Sequence, residues 1–379
     1  MTDFIGIDIG DKINFVCILN NKGEILFRKE IKNTKEDMSE YFHSIEKASI
    51  VFEVGSHSPW ISRLLIADGH DVFICNPRKL AAVSQNLKKS DAEDSLILAQ
   101  LLLTGKHLLS QVHHANEDKM RDFLLIKSRK ALVKCRTILI NTSRGVVKSF
   151  GERISPNLTA NAFHKYAGDS LTSESNEKIK DLIEVIGKTT EQILLYDKNI
   201  DTLIQNKYPV AQLLQSINGV GPLTSLTYVL TIDDPKKFPN SRTVGAFLGL
   251  VPRRDQSGNK DKQLPITKAG SKLLRSLLIN CANYILSEKG EDNQIKRFGL
   301  KIRGDGTSKT KNNKAKVAVA RKLSVIMHKL WITNKPFASI LGKEKEETSS
   351  NKKETKVGLS LKKKPSNKKI TAAKRLAKV

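Results

Sequence analysis

The sequence predicts a mixed α/β domain followed by a mostly helical remainder, α/β plus α. Three observations carry this. The chain starts on three short strand-like runs, FIGIDIG, INFVCILN and EILFRKEI, separated by the turn residues Gly10-Asp11 and Asn21-Lys22-Gly23. Strand-like and helix-like stretches then alternate as far as Gly105. From about residue 117 to 205 breakers are few and helix formers many.

Each element has a local reason. Thr34 precedes Glu36 and Asp37, a helix start in which a hydroxyl caps the first amides and the acids face the positive end of the helix dipole. SIVFEV reads as a strand, Pro59 to about Ala67 as a helix, DVFICN as a strand, and Pro77 as the opening of a further helical stretch. Ser90 to Leu103 is a long apolar helix with Gly105 as its stop. A three-strand meander followed by alternating helices and strands is the element order of the RNase H/RuvC-like fold. In that fold the strands carrying Asp8 and Glu53 are neighbours. Residues 1–110 are assigned to this domain.

Residues 111–206 hold two helical segments, about 117–148 and 174–206, on either side of a polar connection. The stretch LIEVIGKTTEQILLYDKNIDTLI has an apolar stripe near heptad spacing. A plain spacer hairpin and an oligomer interface both fit it. Residues 207–342 read as a mostly helical C-terminal domain. LLQSINGVGPLTSLTYVLTI has the pattern apolar helix, Gly219-Val220-Gly221, apolar helix. It resembles a helix-hairpin-helix, whose hairpin amides hold a nucleic-acid phosphate as a helix N-terminus does; a plain tight helical turn fits equally. Helix TVGAFLGL, loop PRRDQSGNKDKQLP, helix KLLRSLLINCANYIL, a basic stretch and helix KVAVARKLSVIMHKLW follow. Residues 343–379 are Lys-rich, lack aromatics, and are expected to be a disordered basic tail for nonspecific electrostatic attachment.

Of the 379 residues 65 are Lys or Arg and 39 Asp or Glu, a net charge of +26. The excess is uneven. Residues 1–205 are nearly neutral, with 28 basic and 27 acidic residues, whereas residues 206–342 carry 24 against 8. The C-terminal half is therefore the expected nucleic-acid surface. Cys17, Cys75, Cys135 and Cys281 lack metal-ligand spacing, and no apolar run reaches the length of a membrane span. The expectation is a reduced, soluble, cytoplasmic protein with no membrane partner.

Four acids are the candidate chemistry. Asp8 and Glu53 sit within apolar runs read as buried strands, where a carboxylate is costly unless a charge compensates it. Asp91 and Asp94, three apart at the start of the Ser90 helix, share a face. Oxygen donors in this number suit Mg²⁺, with two ions expected and Mn²⁺ possible. The bland alternatives are strand-end turn acids for the first pair and helix capping for the second. Asp11 and Glu93 are read as bystanders.

The motifs GIDIGDK, FEVGSHSPW, NPRKL and KSDAEDSLILAQLL, then INGVGPLTS, FPNSRTVGAFLGLVPRRDQSGN, ITKAGSKLLR and ARKL before Trp331, are carried in this order over residues 4 to 331. This set resembles the DEDD transposases of the insertion-sequence one-ten type, which include the Piv-like DNA invertases. The resemblance implies that Asp8, Glu53, Asp91 and Asp94 are the metal-binding acids and that Ser257 is a nucleophile. Arg253, Arg254, Lys260 and Lys262 around Ser257 could steady phosphate charge. Without the resemblance Ser257 is an ordinary loop serine. Asp11 departs from the family, which often has a basic residue there.

The resemblance further implies an enzyme that cuts donor and target DNA and rejoins it through a phosphoserine link, guided by a noncoding RNA. Neither ATP nor a P-loop is needed, and none is present. Acids and serine on separate domains make a homo-oligomer, dimer or tetramer, the expected active form. The competing readings are a RuvC-like nuclease or junction resolvase in which metal-activated water cuts DNA, and a nucleic-acid-binding scaffold with an idle acid cluster.

Overall fold

The structure is a computed structural model that describes residues 3–76, 90–109, 111–257 and 260–337; the side chains of residues 108, 257 and 260–263 are outside it. The helical stretch expected to open at Pro77 and the tail at 343–379 lie outside the described residues. The chain divides into two compact units, residues 1–116 and 117–379. The first carries the sheet; the second is mostly helical.

In the first unit β1 (Phe4–Ile9), β2 (Ile13–Leu19) and β3 (Ile25–Lys32) form the expected antiparallel meander. β4 (Ser49–Glu53) and β5 (Asp71–Cys75) extend it on the other side in parallel, so the order is β3-β2-β1-β4-β5. Alternation decides which side chains go where. Ile5, Ile7, Ile50 and Phe52 point to one face, where they bury Met38 and Phe42 of α1 (Lys35–His43) and Ile61 and Leu65 of α2 (Ser58–Ala67). Burying each such side chain is worth roughly 1.5–3 kcal/mol. As expected, the Thr34 hydroxyl caps α1 by accepting from the Asp37 amide at 3.1 Å.

The other face belongs to α3 (Asp91–Thr104), capped by Ser90. Val51 and Cys75 pack there with Leu98 and Leu102. Gly6 sets the distance: a Cβ on it would stand 2.0 Å from the Ser95 carbonyl oxygen and 2.6 Å from the Ala99 amide nitrogen. Helix backbone lies directly on strand backbone at that point, which only glycine permits.

The second unit opens with two long helices, α4 (Glu117–Val146) and α6 (Ser173–Lys207), with the one-turn α5 (Phe163–Tyr166) in their connection. Buried Arg136 donates to Asn161 Oδ1 at 2.8 Å and Thr190 Oγ1 at 3.3 Å, and Arg129 pairs with Asp197. Ile126, Ile200 and Ile204 of these helices enter one core with the remaining helices. Those are α7 (Pro209–Leu214), α8 (Pro222–Ile232), α9 (Thr243–Phe247), α10 (Lys272–Ile285), α11 (Gln294–Arg303) and α12 (Lys309–Thr333). Gly219 takes φ +94° in the turn between α7 and α8, and Gly221 precedes α8.

Three expectations change. The segment PRRDQSGNKDKQLP is a β-hairpin, β6 (Pro252–Ser257) with β7 (Lys260–Ile266), rather than a loop. Arg253, Arg254, Asp255 and Gln256 follow one another along β6, so its sequence lacks the apolar alternation that marks a strand. The basic stretch before the last helix contains α11, and α12 starts at Lys309 behind a Ser308 cap, well before the apolar pattern begins. Among the described residues no helix is long and apolar enough to cross a membrane.

Candidate active site

Asp8 and Glu53 occupy equivalent places on neighbouring strands. Ile7 and Phe52 are register partners in the parallel β1–β4 pair, so Asp8 and Glu53 follow one residue later, side by side. Both belong to the set that alternates toward α3. Ser95 and Ala99 lie over Gly6, while Leu102 packs farther back with Phe4. α3 thus runs against β1, and its first turn, with Asp91 and Asp94, lies at the strand ends that hold Asp8 and Glu53. Ala92 and Ser95 share a cleft with Phe15, the register partner of Asp8.

The acids are less enclosed than their apolar flanks suggested. Asp8 and Asp94 are half-buried, and Glu53 and Asp91 are exposed. The strands end at these residues and water reaches them, so the burial argument made from sequence does not hold. The placement at a solvent-reached strand end is nevertheless what a site open to a large substrate requires. Glu53 is felt below: burial, and then the Glu53 charge, push the Cys75 thiol up to about 12. Glu93 turns elsewhere, 3.6 Å from Arg28 on β3. The donor set is four carboxylates on three rigid elements at one end of the sheet, which fits a hard divalent cation. Among the described residues, no three His, Cys, Asp or Glu side chains converge as a formed metal cluster.

The loops beyond the acids are tied together by residues that sequence reasoning passed over. His57 Nε2 lies 3.2 Å from Asp11 Oδ1, and Trp60 Nε1 donates to His57 Nδ1 at 3.3 Å. A neutral imidazole protonated at Nε2 satisfies both bonds. Asp11 follows Asp8 by three residues and His57 follows Glu53 by four, so this bridge joins the two acid-bearing loops. Buried Ser58 accepts from the Gly55 amide at 3.0 Å, donates to the Gly55 carbonyl at 2.9 Å, and stands 2.9 Å from His114 Nε2. Burial, aided by the Arg63 charge, lowers the His114 pKa, so this imidazole donates Nε2–H as a neutral group.

In the second unit Ser257 is the last residue of β6 and the register partner of Lys260. Its side chain, and those of Lys260 and Lys262, lie outside the described residues. Arg253 and Arg254 are exposed on β6. The register slips between Pro252 and Arg254, opposite Leu264-Pro265, where the proline has no N–H to give the ladder. The hairpin is gripped at its base. Buried Arg275 of α10 donates to the Leu248 carbonyl at 3.0 Å and the Ala269 carbonyl at 2.6 Å. Gly249, at φ +66°, lets the two legs close: a Cβ there would stand 2.2 Å from the Ala269 amide nitrogen.

With this geometry in place, comparison with known proteins is decisive at the family level. A DEDD transposase model of the IS110 type matches residues 5–151, and the Transposase IS116/IS110/IS902 family model matches residues 211–297. The chain belongs to the IS110-type DEDD transposases. It is 27% identical over 330 residues to a transposase for insertion sequence element IS1111A from Coxiella burnetii, spanning 85% of this chain and 88% of that protein. It is 25% identical over 346 residues to a pilin gene-inverting protein from Moraxella lacunata, covering 88% and 97% of the two chains. A transposase for insertion sequence element IS1328 from Yersinia enterocolitica is 25% identical over 329 residues, 85% and 94% of the two. As a member of this family the chain is a DNA transposase or recombinase. The first match contains the four acids and the His57 and Ser58 ties; the second contains Gly219, Gly221, Ser257 and the Arg275 clamp.

Proposed function

We propose that this transposase serves an insertion sequence by cutting donor and target DNA and rejoining it, with Asp8, Glu53, Asp91 and Asp94 holding Mg²⁺ and Ser257 as nucleophile. One observation carries the metal assignment: two acids side by side at the ends of adjacent parallel strands, with the acidic first turn of α3 at the same end. The sheet order β3-β2-β1-β4-β5 supports an RNase H/RuvC-like domain. Bound Mg²⁺, as two ions, supplies charge stabilisation at a phosphoryl group undergoing in-line displacement; Mn²⁺ suits the same oxygens.

The residues divide the work. The four carboxylates orient the cation site. Ser257 Oγ forms a bond to phosphorus as the bond to one deoxyribose oxygen breaks; the serine proton passes to solvent and the released oxygen leaves as a hydroxyl. Arg253 and Arg254, with Lys260 and Lys262, balance phosphate charge. A free hydroxyl end then attacks the phosphoserine, returning the serine and restoring a phosphodiester. The Gly219–Gly221 turn contributes backbone amides to a DNA phosphate. An element-encoded noncoding RNA guides the choice of donor and target, in the cytoplasm and on the nucleoid. A dimer or tetramer is the working form, supported by exposed Leu124 and Ile138 on α4 and Leu194 and Leu195 on α6.

The test uses purified protein, the RNA from the element's flank, Mg²⁺ and end-labelled DNA, on denaturing gels with and without protease. A protein–DNA adduct that protease removes, and that Ser257→Ala abolishes, is expected. Free cut ends made equally by both proteins mean that water is the nucleophile, as in a RuvC-like resolvase. DNA binding with no metal-dependent cut in either protein means an idle scaffold.

A further inference from the structure

We infer that the second unit holds a groove for an unpaired DNA strand, running along α12 to the base of the Ser257 hairpin. This rests on the function proposed above and adds where the substrate strand lies.

The groove has a volume of about 1160 Å³. Its long wall is one face of α12. Thr310, Asn313, Lys314, Val317, Arg321 and Val325 all line it, at the three- and four-residue steps of a single helical stripe. Fifteen steps of about 1.5 Å from Thr310 to Val325 give a wall about 22 Å long. The opposite face of α12 is spent on the core through Val319, Leu323 and Met327. The remaining walls come from Phe298 of α11, Arg242 before α9, and Pro252 and Ile266 at the hairpin base. A chain seated in the groove is therefore delivered onto the hairpin that carries Ser257.

Charge and apolarity alternate along the wall in a way that suits one polymer. Lys314 lies a turn before Val317 and Ala318; Arg321 and Lys322 lie a turn after; no acid lines the groove. Cations about 10 Å apart on either side of an apolar floor match a backbone of phosphates with bases turned inward. Phe298 offers the stacking surface. It is 37% exposed, and the Lys322 Nζ sits 4.7 Å from its ring centroid. A base that takes over that ring face releases the ammonium to a phosphate, so stacking and ion pairing reinforce each other. Arg321 is held in place by its stem, which lies against Gly245: a Cβ there would stand 3.0 Å from Arg321 Cγ. A duplex hides its base faces and could use only the cations. A protein segment would need acids in register with them. Leading onto the cleavage hairpin favours the strand that is cut, which is DNA.

The experiment measures fluorescence anisotropy of the full-length protein with a labelled 12-nucleotide single-stranded DNA, the matching RNA, and the DNA duplex, over a salt series. Phe298→Ala is expected to weaken single-stranded DNA binding about 5- to 100-fold with an unchanged salt slope. Lys314→Ala with Arg321→Ala is expected to weaken it and to reduce the slope by about 1.4. Duplex binding should change far less with Phe298→Ala. Exposed Lys178→Ala with Lys180→Ala on α6 is the control and should leave the preference for single strands intact. In the unaltered protein, a 5-iodouracil strand should photocrosslink to α11 or α12, a readout that does not depend on variant folding. Equal loss for single strands and duplex, or crosslinks only elsewhere, overturns the groove. Loss confined to RNA assigns it to an RNA strand and overturns the DNA assignment. If the adduct test fails while these binding losses appear, the groove stands and the serine chemistry falls; the converse outcome separates the two in the other direction.

Discussion

The acid-bearing end of the N-terminal sheet and the serine-bearing hairpin of the C-terminal unit are built in opposite ways. The acids sit on elements whose other side chains are locked in cores: Ile7 and Phe52 precede Asp8 and Glu53 and are fully buried. Position is set by burial one residue away. The hairpin carries exposed Arg253 and Arg254 on β6 and is held at its base by Arg275 and the closure at Gly249. The first arrangement suits groups that must keep fixed spacing around a cation. The second suits a nucleophile presented on a basic arm. The charge balance agrees, with a nearly neutral half under the acids and a strongly basic half under the serine.

The sharpest way to break this comparison is to remove charge from the acids without changing shape. Asp8→Asn and Glu53→Gln should each lower Mg²⁺-dependent cleavage about 100- to 1,000-fold, on the scale of losing one essential electrostatic group. Binding of single-stranded DNA should stay within about twofold. Cleavage near the native rate by either variant removes the metal assignment. Next in size is Gly6→Ala, which forces a methyl into the α3 backbone. Overpacking of this kind costs about 1–3 kcal/mol or more. Gly55→Ala, where a Cβ meets nothing within 4 Å, is the matched control. Denaturation midpoints should fall for the first and hold for the second.

Much of the first region was legible in the sequence and little of the second. The apolar runs in FIGIDIG and SIVFEV, the Thr34 and Ser90 caps and the Gly105 stop are local signals, and the elements follow them. The exposure of Glu53 was not legible, because the strand pattern says nothing about where its ladder ends. The hairpin left no periodic trace. Arg275 reads in sequence as one cation on an amphipathic helix; only the return of Leu248 and Ala269 to its guanidinium gives it a task. The Ser58–His114 contact joins residues 56 apart and has no local signature either. Ser257 entered through family resemblance alone, because a serine beside glycine in a polar segment carries no local signal of its own.

Arg275→Ala tests the grip on the hairpin. Removing the guanidinium takes this donor from the buried Leu248 carbonyl, at about 1–3 kcal/mol, and from the half-buried Ala269 carbonyl, at less. Adduct formation should fall about 10- to 100-fold, while Mg²⁺ stabilises the variant by RT ln(1 + [L]/Kd), as it does the native chain, and raises both melting temperatures alike. Loss of that shift would mean that the whole chain, not the hairpin, is damaged. Arg275→Lys should recover adduct formation only in part, because its shorter, more strongly hydrated ammonium must reach the point from which Nη1 donates to both carbonyls.

The smallest effect is expected at Asp11. Its carboxylate is 90% exposed and its His57 partner 34%. A bond so open to water is worth under about 1 kcal/mol to stability. Its leverage is positional, since it joins the loops that follow Asp8 and Glu53. Asp11→Ala and His57→Ala should each lower cleavage about 3- to 10-fold with denaturation midpoints unchanged. The double variant should lose no more than the larger single loss, because both substitutions open the same bridge. His57→Gln, which keeps a donor toward Asp11, should recover part of the rate. Additive losses in the double variant would mean that the two residues act independently, and Asp11 would then be a solvent-facing bystander after all.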